Sequence, residues 1–241
     1  MAEYSTIKGW TIPTLSSDPP SPVEGQIWYN STSNDIKCQS YVLGSGVWSS
    51  GGGMVNARLD CGAAGIQTSG LAIGGQTTPT DNYTEKYDGT SWTETGDLGT
   101  ATNTIMCGGI TTSAIAAGGR AGPAVTAVSQ TFDGTSWTTG NSINTARRYG
   151  GGNAVPGAPT AIIFGGTTSG ASANVANTET FDGTSWTEVA DLAAAKGGTV
   201  GGGGTNTSGL SFGGFNPSST ALATTEEWND PVYTIKTVTV S

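Results

Sequence analysis

Three stretches of this 241-residue chain nearly coincide: Tyr-Asp-Gly-Thr-Ser-Trp at 87–92, Phe-Asp-Gly-Thr-Ser-Trp at 132–137, and the same six residues again at 181–186. Their leading aromatics, Tyr87, Phe132 and Phe181, lie 45 and then 49 residues apart. Asp-Gly between apolar strand formers is a tight-turn signal, because the Asp side chain caps its own backbone and Gly accepts a positive φ. Each hexapeptide therefore reads as the end of one strand, a turn, and a second strand opened by Trp92, Trp137 or Trp186. A unit recurring at this spacing marks a repeat architecture.

Working outward, each hexapeptide follows a short apolar run that ends in a glycine pair. These are LAIGG (Gly74, Gly75), AIAAGG (Gly118, Gly119) and AIIFGG (Gly165, Gly166), and a fourth, LSFGG, closes at Gly213 and Gly214. After the fourth comes TEEWNDPVY, in which Trp228 stands where Phe181 does and Tyr233 where Trp186 does. A weaker fifth period precedes the clear ones: Tyr41 lies 46 residues before Tyr87, and Trp48 lies 44 before Trp92, without a glycine pair. The apolar run predicts a strand, the glycine pair its end, and a variable polar loop follows. A further strand fits the stretch before each run, such as CGAAGI or GGGNAV, giving about four short antiparallel strands per unit.

Composition agrees with an all-β chain. There are 39 glycines and 10 prolines, with only 35% hydrophobic residues, so the core must rely on small side chains packed close to backbone. The net charge of −9 disfavours nucleic acid and an anionic membrane surface. No apolar run is long enough to span a bilayer, and the N-terminus has no apolar secretory segment, which predicts folding in the cytoplasm of the producing cell. The three cysteines, Cys38, Cys61 and Cys107, are odd in number and widely spaced, so buried free thiols are expected rather than disulfides.

An apolar run, a glycine pair, then Tyr or Phe and a Trp five residues on, at this period, resembles the Kelch repeat. The resemblance covers about residues 54–235 and, more weakly, 23–53. It departs from the family in its fixed Asp-Gly-Thr-Ser link. It implies a β-propeller of five blades, at about 23–53, 54–98, 99–143, 144–192 and 193–241. The alternative is four blades with a separate N-terminal hairpin. The terminal TIKTVTVS alternates like an edge strand that can pair with N-terminal sequence. Residues 1–22, which run into the Pro-rich LSSDPPSPVEG at 15–25, read either as an extended arm or as an ordinary connecting loop that contributes to ring closure.

The chain has no histidine, so the copper site that the Kelch resemblance would bring for oxidases lacks its imidazoles, and Ser-His and Cys-His nucleophiles are absent. No metal site and no cofactor are expected. Sialidase chemistry needs an arginine cluster, and the only arginines are Arg58, Arg120, Arg147 and Arg148, with Arg58 and Arg147 at matching repeat positions. Asp88, Asp133 and Asp182 recur in the turns and read as turn caps, whereas a catalytic carboxylate pair should break the repeat. Glu85, Glu94, Glu179 and Glu188 flank the same strands and are expected to be solvated. The recurring tryptophans are expected to pack each blade on its neighbour. Specificity then falls to the loops after the glycine pairs, at 76–84, 120–130, 167–177 and 215–223, where Asn82, Tyr83, Arg120, Asn174 and Asn216 are the candidate ligand-binding residues.

The segment SPVEGQIWYNSTSN at 21–34 and the Gly/Ala/Thr-rich ETFDGTSWTE-type repeats are similar to repeat proteins of marine bacteriophage virions, in fibres, knobs or other appendages. That resemblance implies a non-enzymatic virion component. Its arm would dock on other virion proteins and its propeller would face the host surface, with a host glycan as a candidate ligand and homo-oligomers allowed. A lectin-like propeller is the second reading, and a polysaccharide hydrolase or lyase the third.

Overall fold

The computed structural model describes residues 12–39, 46–77, 80–154, 160–169, 173–198 and 201–230. The described residues form strands, turns and bridges and no helix, so the fold is all-β. The chain divides into two compact units, Met1–Ser50 and Gly51–Ser241.

The N-terminal unit holds three strands: β1 (Thr14–Leu15), β2 (Ile27–Asn30) and β3 (Asp35–Cys38). β1 runs parallel to β2, and β2 pairs antiparallel with β3. The Pro-rich stretch starts at the last residue of β1 and supplies the sheet's organising side chain, Asp18. The Asp18 carboxylate accepts bonds from Trp28 Nε1 (3.0 Å) and Asn30 Nδ2 (2.7 Å) and pairs with Lys37 Nζ (2.9 Å). The Lys37 hydrogen bond, then those of Asn30 and Trp28, lower its carboxyl to about 2. Trp28 is buried beneath this network.

The second unit contains four repeat sheets. The first has β4 (Gly62–Ile66), β5 (Ser69–Gln76), β6 (Thr80–Tyr87) and β7 (Trp92–Glu94). The second has β8 (Met106–Ile110), β9 (Ser113–Ala117), β12 (Ser129–Phe132) and β13 (Trp137–Thr139), with a two-stranded hairpin, β10 (Arg120–Ala121) and β11 (Ala124–Val125), in its loop. The third has β14 (Gly151–Ala154), β15 (Ala161–Phe164), β16 (Thr178–Phe181) and β17 (Trp186–Glu188). The fourth has β18 (Gly201–Gly204), β19 (Ser208–Phe212) and β20 (Thr225–Asn229). Each is an antiparallel meander in chain order. The position expected to open a further strand in the last sheet, Tyr233, and the terminal TIKTVTVS lie outside the described residues, as does Tyr41.

The register gives every sheet two unlike faces. On the forward face, toward the next sheet, β5 carries Leu71 and Ile73, β9 Ile115 and Ala117, and β15 Ile162 and Phe164, all at most 3% exposed. The rear faces carry Ala114 and Ala116 on β9, and Ala161 and Ile163 on β15. The faces mate into cores: Leu71 and Ile73 with Ala114, Ala116 and Phe132, and Ile115 with Ala161, Ile163, Phe181 and Trp186. Burying one such large side chain contributes about 1.5–3 kcal/mol.

The first strands β4, β8, β14 and β18 lie side by side in sequence, and there the glycines are required. A methyl on Gly108 would sit 2.5 Å from the Ala154 backbone nitrogen of the next sheet, and one on Gly62 would sit 2.3 Å from Cys107 Sγ. This is why so glycine-rich a chain can still pack its strands closely. Cys107 sits at this crossing, where burial raises its thiol pKa well above the ordinary value. Cys38 and Cys61 are exposed, which corrects the expectation of buried thiols: Cys61 precedes β4 at a rim, and Cys38 ends β3 at a sheet edge.

Candidate functional site

The glycine pairs build one end of each repeat sheet. Gly74 and Gly75 have φ of +56° and +117°, and the other pairs are alike. This turns the second strand away sharply and aims the second glycine's N–H at the next repeat. Gly75 N donates to Thr102 O (2.9 Å), Gly119 N to Arg147 O (2.8 Å), and Gly166 N to Lys196 O (2.8 Å). Isolated bridges Leu59–Gln76, Asn103–Arg120, Arg148–Thr167 and Gly197–Phe215 then fix the start of each following loop. The four loops therefore leave their sheets from the same end.

The candidate loop residues separate into two kinds. Asn82 Nδ2 donates to Leu98 O (3.2 Å), Asn174 Nδ2 donates to Phe215 O (2.8 Å), and Asn216 Oδ1 accepts from Ser218 N (3.0 Å) and Thr220 N (2.9 Å). These three hold backbone. Tyr83 is exposed on β6, and the half-buried Arg120 on β10 makes no side-chain hydrogen bond, so these two are free to meet a ligand. Much of the expected first loop is strand, since β6 begins at Thr80.

The turn aspartates cap as their spacing predicts. Asp133 Oδ1 accepts from Thr135 N and Ser136 N, both at 2.8 Å, and Asp88 and Asp182 do the same. Those backbone bonds hold all three carboxyls below the usual range. The paired rings follow, with centroids 5.0–5.1 Å apart. Trp137 Nε1 donates to Thr84 Oγ1 of the preceding sheet (2.9 Å), and Trp186 Nε1 to Ser129 Oγ (3.0 Å). Each of these tryptophans joins its sheet to the one before.

Two of the glutamates expected in solvent are in the core. Glu85 and Glu179 are at most 1% exposed, whereas Glu94 and Glu188 are exposed. Glu85 pairs with buried Arg58 and accepts from Val55 N (2.7 Å) and Asn56 N (3.1 Å). Glu179 pairs with buried Arg147 and accepts from Asn144 N (2.7 Å). In the fourth sheet Lys196 pairs with Glu226 at 2.7 Å, and Ala193 N donates to the same carboxylate (2.7 Å). The matching positions of the second sheet are Thr102 and Gln130, and Gln130 Oε1 accepts from Gly99 N (2.7 Å). Cation and carboxylate are thus replaced together by a neutral pair that keeps the backbone bond. Burial pushes the Glu85 and Glu226 carboxyls up, but the hydrogen bonds they accept outweigh it and leave both below the ordinary value.

A cleft opens between the third and fourth sheets, lined by Ile162, Phe164, Thr178, Leu192, Ser211 and Trp228. Ser211 Oγ, buried at its wall, has no hydrogen-bond partner. Among the described residues no group of three or more Cys, Asp or Glu is arranged to hold a metal ion. Compared with known protein families and with curated proteins, the chain matches none.

Proposed function

We propose that the four repeat sheets are blades of a Kelch-type β-propeller architecture, carried on a non-enzymatic structural or appendage component of a bacteriophage virion. The observation that carries this reading is the use made of the recurring polar residues. Asp88, Asp133 and Asp182 cap turns, Glu85, Glu179 and Glu226 hold buried cations, and two tryptophans tie sheets together. What recurs is scaffold, and what varies is loop, a division suited to display on a particle surface. Of the two blade counts, four with a separate N-terminal module fits the described residues better. β1–β3 has a parallel pair, no glycine pair and no buried cation–carboxylate pair. An antibody raised to the chain should decorate purified particles, and its absence from washed virions would remove the reading.

A lectin-like role is the second reading. The cleft supports it, with an indole, an unbonded hydroxyl and Asp191 at its wall, as do the free Tyr83 and Arg120. On a glycan array, binding that drops at least tenfold with Tyr83→Ala or Arg120→Ala would establish it.

A further inference from the structure

Cations are scarce in this acidic chain, and most of those described have a partner. Lys37, Arg58, Arg147 and Lys196 pair with carboxylates, and Lys86 Nζ donates to Gly134 O (3.0 Å). Among the described residues that leaves Arg120 and Arg148, which have neither a carboxylate nor a hydrogen-bond acceptor. Both are half-buried.

The repeat brings these two together. In the bridges Leu59–Gln76, Asn103–Arg120 and Arg148–Thr167, one member opens a repeat and the other follows its glycine pair. Arg120 therefore matches Gln76, and Arg148 matches Asn103. At the first junction the matched side chains meet, Asn103 Nδ2 donating to Gln76 Oε1. The second junction has the same backbone, since Gly75 N donates to Thr102 O (2.9 Å) and Gly119 N to Arg147 O (2.8 Å). The meeting positions there hold two guanidiniums.

An amide pair supplies both a donor and an acceptor, whereas two guanidiniums only donate and repel each other. Their contact closes only around an acceptor of negative charge. The Arg148 guanidinium lies 5.0 Å from the Tyr149 ring centroid, which leaves its N–H edge free, and its buried Nε has no partner. Outside the described residues the sequence has one acidic side chain, Glu3. The β10–β11 hairpin starts at Arg120, so the pair stands at the end from which the variable loops leave.

We propose that Arg120 and Arg148 clamp an oxyanion between them, the sulfate or carboxylate group of an acidic ligand. Each guanidinium offers such a group a charged pair of donors. The site is separate from the cleft of the lectin-like reading and rests on that reading only for a sugar as the source of the anion.

Isothermal titration calorimetry on the full chain at low salt tests this, with sodium sulfate, sodium glucuronate and glucose as probes. Sulfate, glucuronate or both should bind, and glucose should not. Arg120→Gln or Arg148→Asn should each weaken that binding about tenfold, the effect of losing one charged hydrogen-bonding partner. The double variant copies Gln76 and Asn103. It should bind neither anion, and in chloride buffer its unfolding midpoint should equal or exceed that of wild type. Glucuronate binding that the double variant loses assigns the anion to an acidic sugar, and binding of sulfate alone assigns it to an inorganic or esterified sulfate. No binding of either anion, equal binding by the double variant, or a lowered midpoint in the double variant would each overturn the clamp. If the clamp fails in this way, a glycan-array signal that the double variant keeps would show the lectin-like reading standing without it.

Discussion

Arg147 and Glu179 show what a buried pair costs when it is broken. Removing one partner of such a pair leaves an uncompensated charge, typically a loss of about 3–5 kcal/mol. Glu179→Gln should therefore destabilise the chain by roughly that amount in urea unfolding. The double variant Arg147→Thr with Glu179→Gln copies Thr102 and Gln130 and should recover more than half of the loss. The signal for these pairs lay in the sequence, since Arg58 and Arg147 hold matched positions, as do Glu85 and Glu179. A glutamate alternating with apolar residues on a strand nevertheless reads as solvent-facing, because the partner that covers it enters from a segment 27 or 32 residues away. The simultaneous change to Thr102 and Gln130 in the second repeat is the one trace of the pairing that the sequence carries.

At the scale of the element, the first strands β4, β8 and β14 pack without room for a side chain at Gly62, Gly108 and Gly151. Gly108→Val should cost about 2–3 kcal/mol through overpacking against Ala154, and should lower the thermal midpoint accordingly. Gly122, in the hairpin tip between β10 and β11, meets nothing within 4 Å, but its φ is +63°. Gly122→Asn, which tolerates that conformation, should therefore leave the midpoint within a degree or two, and a larger fall would show the hairpin is packed. Strand positions, glycine pairs and turn caps were readable because each rests on local chemistry repeated in register. The parallel pairing of β1 with β2 was not, because the Pro-rich stretch has no repeat counterpart. The tertiary hold of Asp18 on Trp28, Asn30 and Lys37 orders it, together with the bonds that Leu15 O and Ser16 O accept from Ser31 and Thr32.

For the whole molecule, acid is the informative variable. The Glu85 and Glu226 carboxyls sit below their ordinary value of 4.5 in the folded chain. A depressed carboxyl gives stability that is full above its unfolded pKa and is lost as pH falls through the folded one. Stability from these pairs should hold above about pH 5 and decline below it. The second sheet, with Gln130 in place of a carboxylate, should feel this less than the first and fourth. Hydrogen exchange at pH 3 should find its amides protected longer than theirs, and equal loss in these three sheets would contradict the assignment. The N-terminal unit is compact by itself, so residues 51–241 expressed alone should unfold cooperatively at the midpoint that the full chain shows for its repeat sheets.

The unlike faces of the sheets give the chain a polarity, forward always meeting rear. One consequence concerns ancestry. A recombination event that copies or removes one whole repeat, for instance at the boundary after Ile143, joins a forward face to a rear face on both sides of the scar. No new surface has to be invented, and no side chain has to change. Chain length can then drift between relatives in steps of about one blade, with the loops free to diverge on an unaltered frame.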